Sequence, residues 1–183
     1  MQAPSHLPTP IDDGACDHLP GLAVPSLLRP STAGRLIDLS KRDAARTVVY
    51  CYSMTGVPGG PLPEGWDLIP GARGCTPQAC AFRDHYQELA TFEAELFGLS
   101  TQPTDYQREM AERLRLPFEI LSDEALTFAN ALKPPTFDAG GMRLIKCLTL
   151  IIRGGRIETV LYPVFPSYES AARVIAWLER HPS

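Results

Sequence analysis

The sequence predicts an α/β protein with a central mixed β-sheet flanked by helices and preceded by an N-terminal β-hairpin. Three observations carry this. Thr47-Val48-Val49-Tyr50-Cys51-Tyr52 is a nearly continuous β-branched and aromatic run, the pattern of a central strand buried on both faces. Beyond residue 75, strand-length apolar runs alternate with amphipathic helical segments, as in a sheet covered by helices. A dense Gly/Pro stretch separates the first strand from the first helix, and a cysteine stands where that helix begins.

The chain has 183 residues, about one ordinary domain. Residues 1–13, rich in Pro and Asp and without periodicity, are expected to be a mobile tail. Residues 14–183 are read as a single domain. Leu22-Ala23-Val24 and Leu36-Ile37-Asp38-Leu39 flank the turn residues Ser31-Thr32-Ala33-Gly34 and read as the N-terminal hairpin. Between Tyr52 and Cys75, the loop at 56–74 carries six glycines and four prolines around a lone Trp66, a composition that excludes helix and paired strand. A loop of that length beside a reactive cysteine suggests a lid.

After Cys75, Pro77 suits a first helical turn, and Ala79, Phe82, Tyr86 and Leu89 mark one helical face. Residues 96–100 form the next strand, 104–114 a helix and 117–121 a short strand. Ser122-Asp123-Glu124 caps a short helix. Residues 144–152 and 156–161 form a hairpin around Gly154-Gly155, and 169–180 a closing helix.

Charge and composition exclude some functions. Lys and Arg total 17 against 21 Asp and Glu, and Lys41-Arg42 is the longest basic cluster, so neither nucleic acid nor an anionic membrane is expected as a partner. The N-terminus shows no signal-peptide pattern, and the apolar segments are strand-length. A cytoplasmic protein is expected. Five cysteines, at 16, 51, 75, 80 and 147, fit reduced thiols better than a secreted disulfide framework.

Cys75 sits where a thiolate would be stabilised. Backbone N–H groups of the helix that begins near Thr76 point at its sulfur, Gly74 permits close backbone approach, and Arg73 adds a cation two residues away. Cys80 follows five residues later. On an intact helix two such residues lie on different faces, with Cα atoms beyond the roughly 7 Å that a disulfide spans, so a bond between them requires the first turns to unwind. Cys75, Cys80 and His85 at five-residue steps do not converge on a tetrahedral metal centre. Cys16, beside the tail, and Cys51, within a strand, look non-catalytic.

Gly74-Cys75-Thr76-Pro77-Gln78-Ala79-Cys80, continuing as Ala81-Phe82-Arg83-Asp84, resembles the active-site motif of peroxiredoxins of the bacterioferritin-comigratory, or peroxiredoxin Q, branch. The similarity extends through Phe97-Gly98-Leu99-Ser100, Leu121-Ser122-Asp123 and Gly155-Arg156-Ile157-Glu158, over about residues 17–180. It implies a thioredoxin-like fold and a cofactor-free, thiol-dependent peroxidase acting on hydrogen peroxide and organic hydroperoxides. By the resemblance Cys75 is the peroxidatic cysteine and Cys80 the resolving cysteine. Their disulfide would be recycled by thioredoxin or a similar dithiol, in a monomer with antioxidant function.

Two positions depart from the family pattern. Where the family has a threonine three residues before its nucleophile, this chain has Ala72. Thr55 is the substitute if the Gly/Pro loop is an insertion, or else an ordinary strand-end threonine. The family's catalytic arginine, before a late strand, aligns with Cys147, with Lys146 beside it and Arg143 upstream. Lys146 can act electrostatically but lacks the arginine fork. Cys147 reads as an inert strand residue, and without a cation a slower peroxidase is expected. Gln78 either bonds the active-site backbone or is solvated. A protein thiol–disulfide oxidoreductase, which normally uses a Cys-x-x-Cys pair, and a non-catalytic redox sensor are the alternatives.

Overall fold

A computed structural model describes residues 8–182. The expected tail therefore lies partly outside the described residues, at 1–7. The described part of it touches the body of the protein: Gly71 N–H donates to Pro8 O at 3.1 Å, and Asp13 receives hydrogen bonds from Lys146 Nζ and Tyr162 Oη.

The elements run β1 (Leu28–Pro30), β2 (Leu36–Asp38), β3 (Arg46–Cys51), α1 (Cys75–Asp84), α2 (Tyr86–Ala90), β4 (Ala94–Ser100), α3 (Thr104–Leu114), β5 (Glu119–Ser122), α4 (Thr127–Leu132), β6 (Thr136–Ala139), β7 (Met142–Ile145), β8 (Leu148–Arg153), β9 (Arg156–Leu161) and α5 (Ser170–Arg180). The main sheet has the order β5-β4-β3-β8-β9. Strand β3 pairs in parallel with β4 and antiparallel with β8, so the sheet is mixed and β3 is its centre, as the apolar run from Thr47 predicts. Every residue of β3 is buried.

The two-residue alternation of strand side chains divides the core into two layers. Val49 and Cys51 face one way, onto Leu19, Ile37, Phe128 and Leu132. Val48, Tyr50 and Tyr52 face the other, onto Cys75, Phe82, Met110, Val174 and Leu178 from α1, α3 and α5. Tyr50 stacks on Phe82 with ring centroids 4.7 Å apart, which fixes α1 over the central strand. The first helical stretch breaks at His85 into α1 and α2.

The hairpin differs from its expected register. Residues 28–30, not 22–24, pair with β2, because the turn at Ser31–Gly34 sets the pairing of the residues that flank it. Leu22 and Val24 instead bond the β8–β9 turn, through Ile157 N–H to Leu22 O and Val24 N–H to Gly155 O. The expected strand at 144–152 is also interrupted. Leu144 and Ile145 belong to β7, which pairs with β6 across Gly140 and Gly141, both at positive φ; the chain then bends at Cys147 before β8 begins. Residues 56–74 hold no strand but do contain one turn of 3₁₀ helix at Trp66–Leu68, contrary to the expectation of no helix. Trp66 is buried there with Met54, Ala72, Ala139 and Leu144, and its apolar contacts offset the poor local propensity.

Asp123 ties the layers together. It forms an ion pair with Arg29 at 2.6 Å, both side chains being almost fully buried, and accepts the Phe128 and Ala129 N–H groups at the start of α4, each at 2.9 Å. Removing it would strand a buried guanidinium and two helix N–H groups. Asp123→Ala is expected to lower unfolding stability by about 3–5 kcal/mol, measured by urea denaturation.

Candidate active site

The site lies where the chain leaves β3 and where α1 begins. Cys75 is the first residue of α1, 4% exposed. Gly74 is needed for close packing: a Cβ there would lie 2.9 Å from Gly71 O and 3.1 Å from Ser167. Its φ of −80° is open to any residue, so the constraint is space and not backbone conformation. The Ser53 and Met54 N–H groups, just past the end of β3, hydrogen-bond the Cys75 sulfur.

A side chain that sequence reasoning set aside lies against that sulfur. Cys147 Sγ lies 3.7 Å from Cys75 Sγ, and Ser53 Oγ lies 3.9 Å from Cys147 Sγ while donating to Ile145 O at 2.8 Å. Cys147 therefore faces the site and is no inert strand residue. The register explains it: Cys51 pairs with Leu148, so the residue before β8 and the residues after β3 meet at the same end of the sheet.

The two thiols titrate as a pair. The hydrogen bond from Cys75 lowers Cys147 to about 7, with Ser53 assisting and burial opposing. The same hydrogen bond raises Cys75 well above the ordinary thiol value, reinforced by burial and by the neighbouring charge. One proton is thus shared: the first is lost easily because the remaining S–H donates to the thiolate, and the second is held. Moving that proton across the contact exchanges the anion between the sulfurs. Burial keeps the other core cysteines protonated, raising Cys16 to about 12 and Cys51 further still.

Cys80 is half-buried on α1, which is continuous from Cys75 to Asp84. The intervening helix rises about 7.5 Å, so the fold shown keeps the two sulfurs apart. Thr55 is buried and bound to Gln102: its N–H donates to Gln102 Oε1 at 3.1 Å, its hydroxyl lies 3.5 Å from the same oxygen, and Gln102 Nε2 donates to Thr55 O at 3.0 Å. The candidate cations have carboxylate partners. Arg73 pairs with Asp67, Arg143 with Asp138 and Lys146 with Asp13. Gln78 is fully buried rather than solvated, and neither end of its side-chain amide has a partner among the described residues. Among those residues no group of three His, Cys, Asp or Glu is placed to hold a metal ion.

The sheet and its flanking helices make a thioredoxin-like fold, with a buried cysteine opening the helix that follows the central strand. Residues 68–152 match the model of the AhpC/TSA family. The chloroplastic peroxiredoxin Q of Populus jackii is 36% identical over 104 residues, 57% of this chain and 42% of that protein. Its counterpart in Gentiana triflora is 30% identical over 129 residues, 68% of this chain and 52% of that one. The chain thus spans about half the length of these relatives. Among solved structures, peroxidoxin BcpB of Mycobacterium tuberculosis superposes with a TM-score of 0.74 at 26% identity, covering 91% of this chain and all of that one. The bacterioferritin comigratory protein of Xanthomonas campestris, at 17% identity and a TM-score of 0.71 over 91% of this chain and 99% of its own, shares the fold. The chain is thus similar to the AhpC/TSA family over residues 68–152, and to proteins named as peroxiredoxin Q and as bacterioferritin comigratory protein.

Two predictions follow from the paired sulfurs and from the packing at Gly74. The rate of Cys147 alkylation by iodoacetamide should rise as pH passes upward through about 7, and Cys147→Ala should move the midpoint for Cys75 to lower pH, because the hydrogen bond and the neighbouring charge that raise it are removed. Gly74→Ala should cost about 1–3 kcal/mol of stability by overpacking, measured by thermal unfolding.

Proposed function

We propose that the protein is a thiol-dependent peroxidase that reduces hydrogen peroxide and organic hydroperoxides without a cofactor. The observation that carries the proposal is Cys75, buried at the first turn of α1, with the Ser53 and Met54 N–H groups and a second thiol at its sulfur. A thiolate held there attacks one peroxide oxygen, the O–O bond breaks, and Cys75 becomes a sulfenic acid while the other oxygen leaves as alcohol or water. The same N–H groups are placed to stabilise negative charge as it passes to the leaving oxygen.

In this reading Cys80 is a resolving cysteine. It condenses with the sulfenic acid once the first turns of α1 unwind, and thioredoxin or a similar dithiol reduces the disulfide. Thr55, fixed by Gln102 close after the Ser53 and Met54 amides, positions the peroxide-binding segment. Lys146, paired with Asp13, contributes only charge at a distance, which fits a peroxidase slower than one with an arginine at the sulfur. The protein acts as a monomer, in the cytoplasm, as a single domain over residues 14–183, with the loop at 56–74 shaping access to the site. Among the described residues no helix is long and apolar enough to cross a membrane.

Peroxide consumption in the presence of a thioredoxin system tests the proposal. The wild-type protein should turn over many equivalents and Cys75→Ser should fall to background. Turnover by the Cys75→Ser variant at the wild-type rate, or none by the wild type, would sink the reading.

A further inference from the structure

By the sequence resemblance Cys147 stands where the family pattern has an arginine, yet it does more than leave the cation out. It lies 3.7 Å from the Cys75 sulfur. A disulfide bond is about 2.05 Å long, so closing the gap needs less than about 2 Å of approach. The residue sits in the bend between β7 and β8, outside both ladders, and is only partly buried. Its backbone can therefore shift without breaking strand hydrogen bonds. Cys80, by contrast, is held away by an intact helix whose Ala79 and Phe82 are packed in the core.

We propose that Cys147 is itself a resolving cysteine, closing a disulfide on oxidised Cys75 while α1 stays folded and before Cys80 can reach it. The inference rests on the peroxidase reading, in which peroxide converts Cys75 to the sulfenic acid. The Cys147 thiolate attacks Cys75 Sγ, the S–O bond breaks, and hydroxide leaves and takes up a proton to become water. The S–S bond forms as the two thiols supply the two electrons that reduce the peroxide. A protein dithiol returns the pair to thiols and is itself oxidised to a disulfide. Ser53, whose hydroxyl lies beside Cys147 and is anchored on Ile145 O, orients the attacking sulfur.

The experiment uses the full reduced chain as wild type, Cys80→Ser and Cys147→Ser, with one equivalent of hydrogen peroxide. Acid quenching at successive times, alkylation of free thiols and peptide mapping identify the disulfides, and dimedone traps sulfenic acid. Cys80→Ser should form the Cys75–Cys147 bond, and the same bond should be the first to appear in the wild type. Cys147→Ser should hold roughly tenfold more trappable sulfenic acid, because a preplaced partner has been replaced by one that waits for unwinding. If Cys80→Ser keeps Cys75 as sulfenic acid with Cys147 free, or if the first wild-type disulfide is Cys75–Cys80, the inference is overturned while the peroxidase reading stands. If Cys75 is not oxidised in the wild type, both fall.

Discussion

Strand β3 is hydrogen-bonded along both edges and buried on both faces, and the positions of the functional groups follow from that confinement. Its parallel partner β4 requires a crossover, which the loop and α1 provide on one face of the sheet. Its antiparallel partner β8 brings the residue before that strand back to the end where β3 stops. The nucleophile arrives from the crossover and the second thiol from the returning strand. Their sulfurs meet because both segments are held to one register of one strand.

The electrostatics of the pocket differ from those of a site built on a guanidinium. A fixed cation stabilises a thiolate at every stage, including after reaction. A neighbouring thiol stabilises it by donating a proton, and that donor is consumed if the two sulfurs bond. Backbone N–H groups of Ser53 and Met54, with the first turn of α1, remain as a permanent but weaker source of positive potential. Lys146, Arg73 and Arg143 are all occupied by carboxylates, so the pocket relies on dipoles and on a shared proton.

How much of this was legible in the sequence depends on the range over which each feature is encoded. The centre of the sheet, the helix 104–114 and the cysteine at the head of α1 were legible because each is written in a contiguous pattern of period two or 3.6 or in turn chemistry. The hairpin and the strand before β8 were misplaced where a second partner competed: Leu22 and Val24 bond the β8–β9 turn, and Leu144 and Ile145 leave β8 for β6. Cys147 was singled out, but as an inert strand residue. Its contact with Cys75 joins residues 72 positions apart and depends on β3–β8 registration, which no local window contains. Gln102, which holds Thr55, was missed for the same reason.

The close fit of Gly74 against Ser167 carries a mechanical implication. The head of α1 rests on the segment that leads into α5, and Ala79 and Phe82 share one packed layer with Ala171, Val174 and Ile175. Unwinding α1 therefore cannot stay within residues 75–80; it strips support from a helix almost a hundred positions later in the chain. Chemistry that leaves α1 intact is silent to the rest of the molecule, whereas chemistry that opens it is transmitted to the carboxyl-terminal helix.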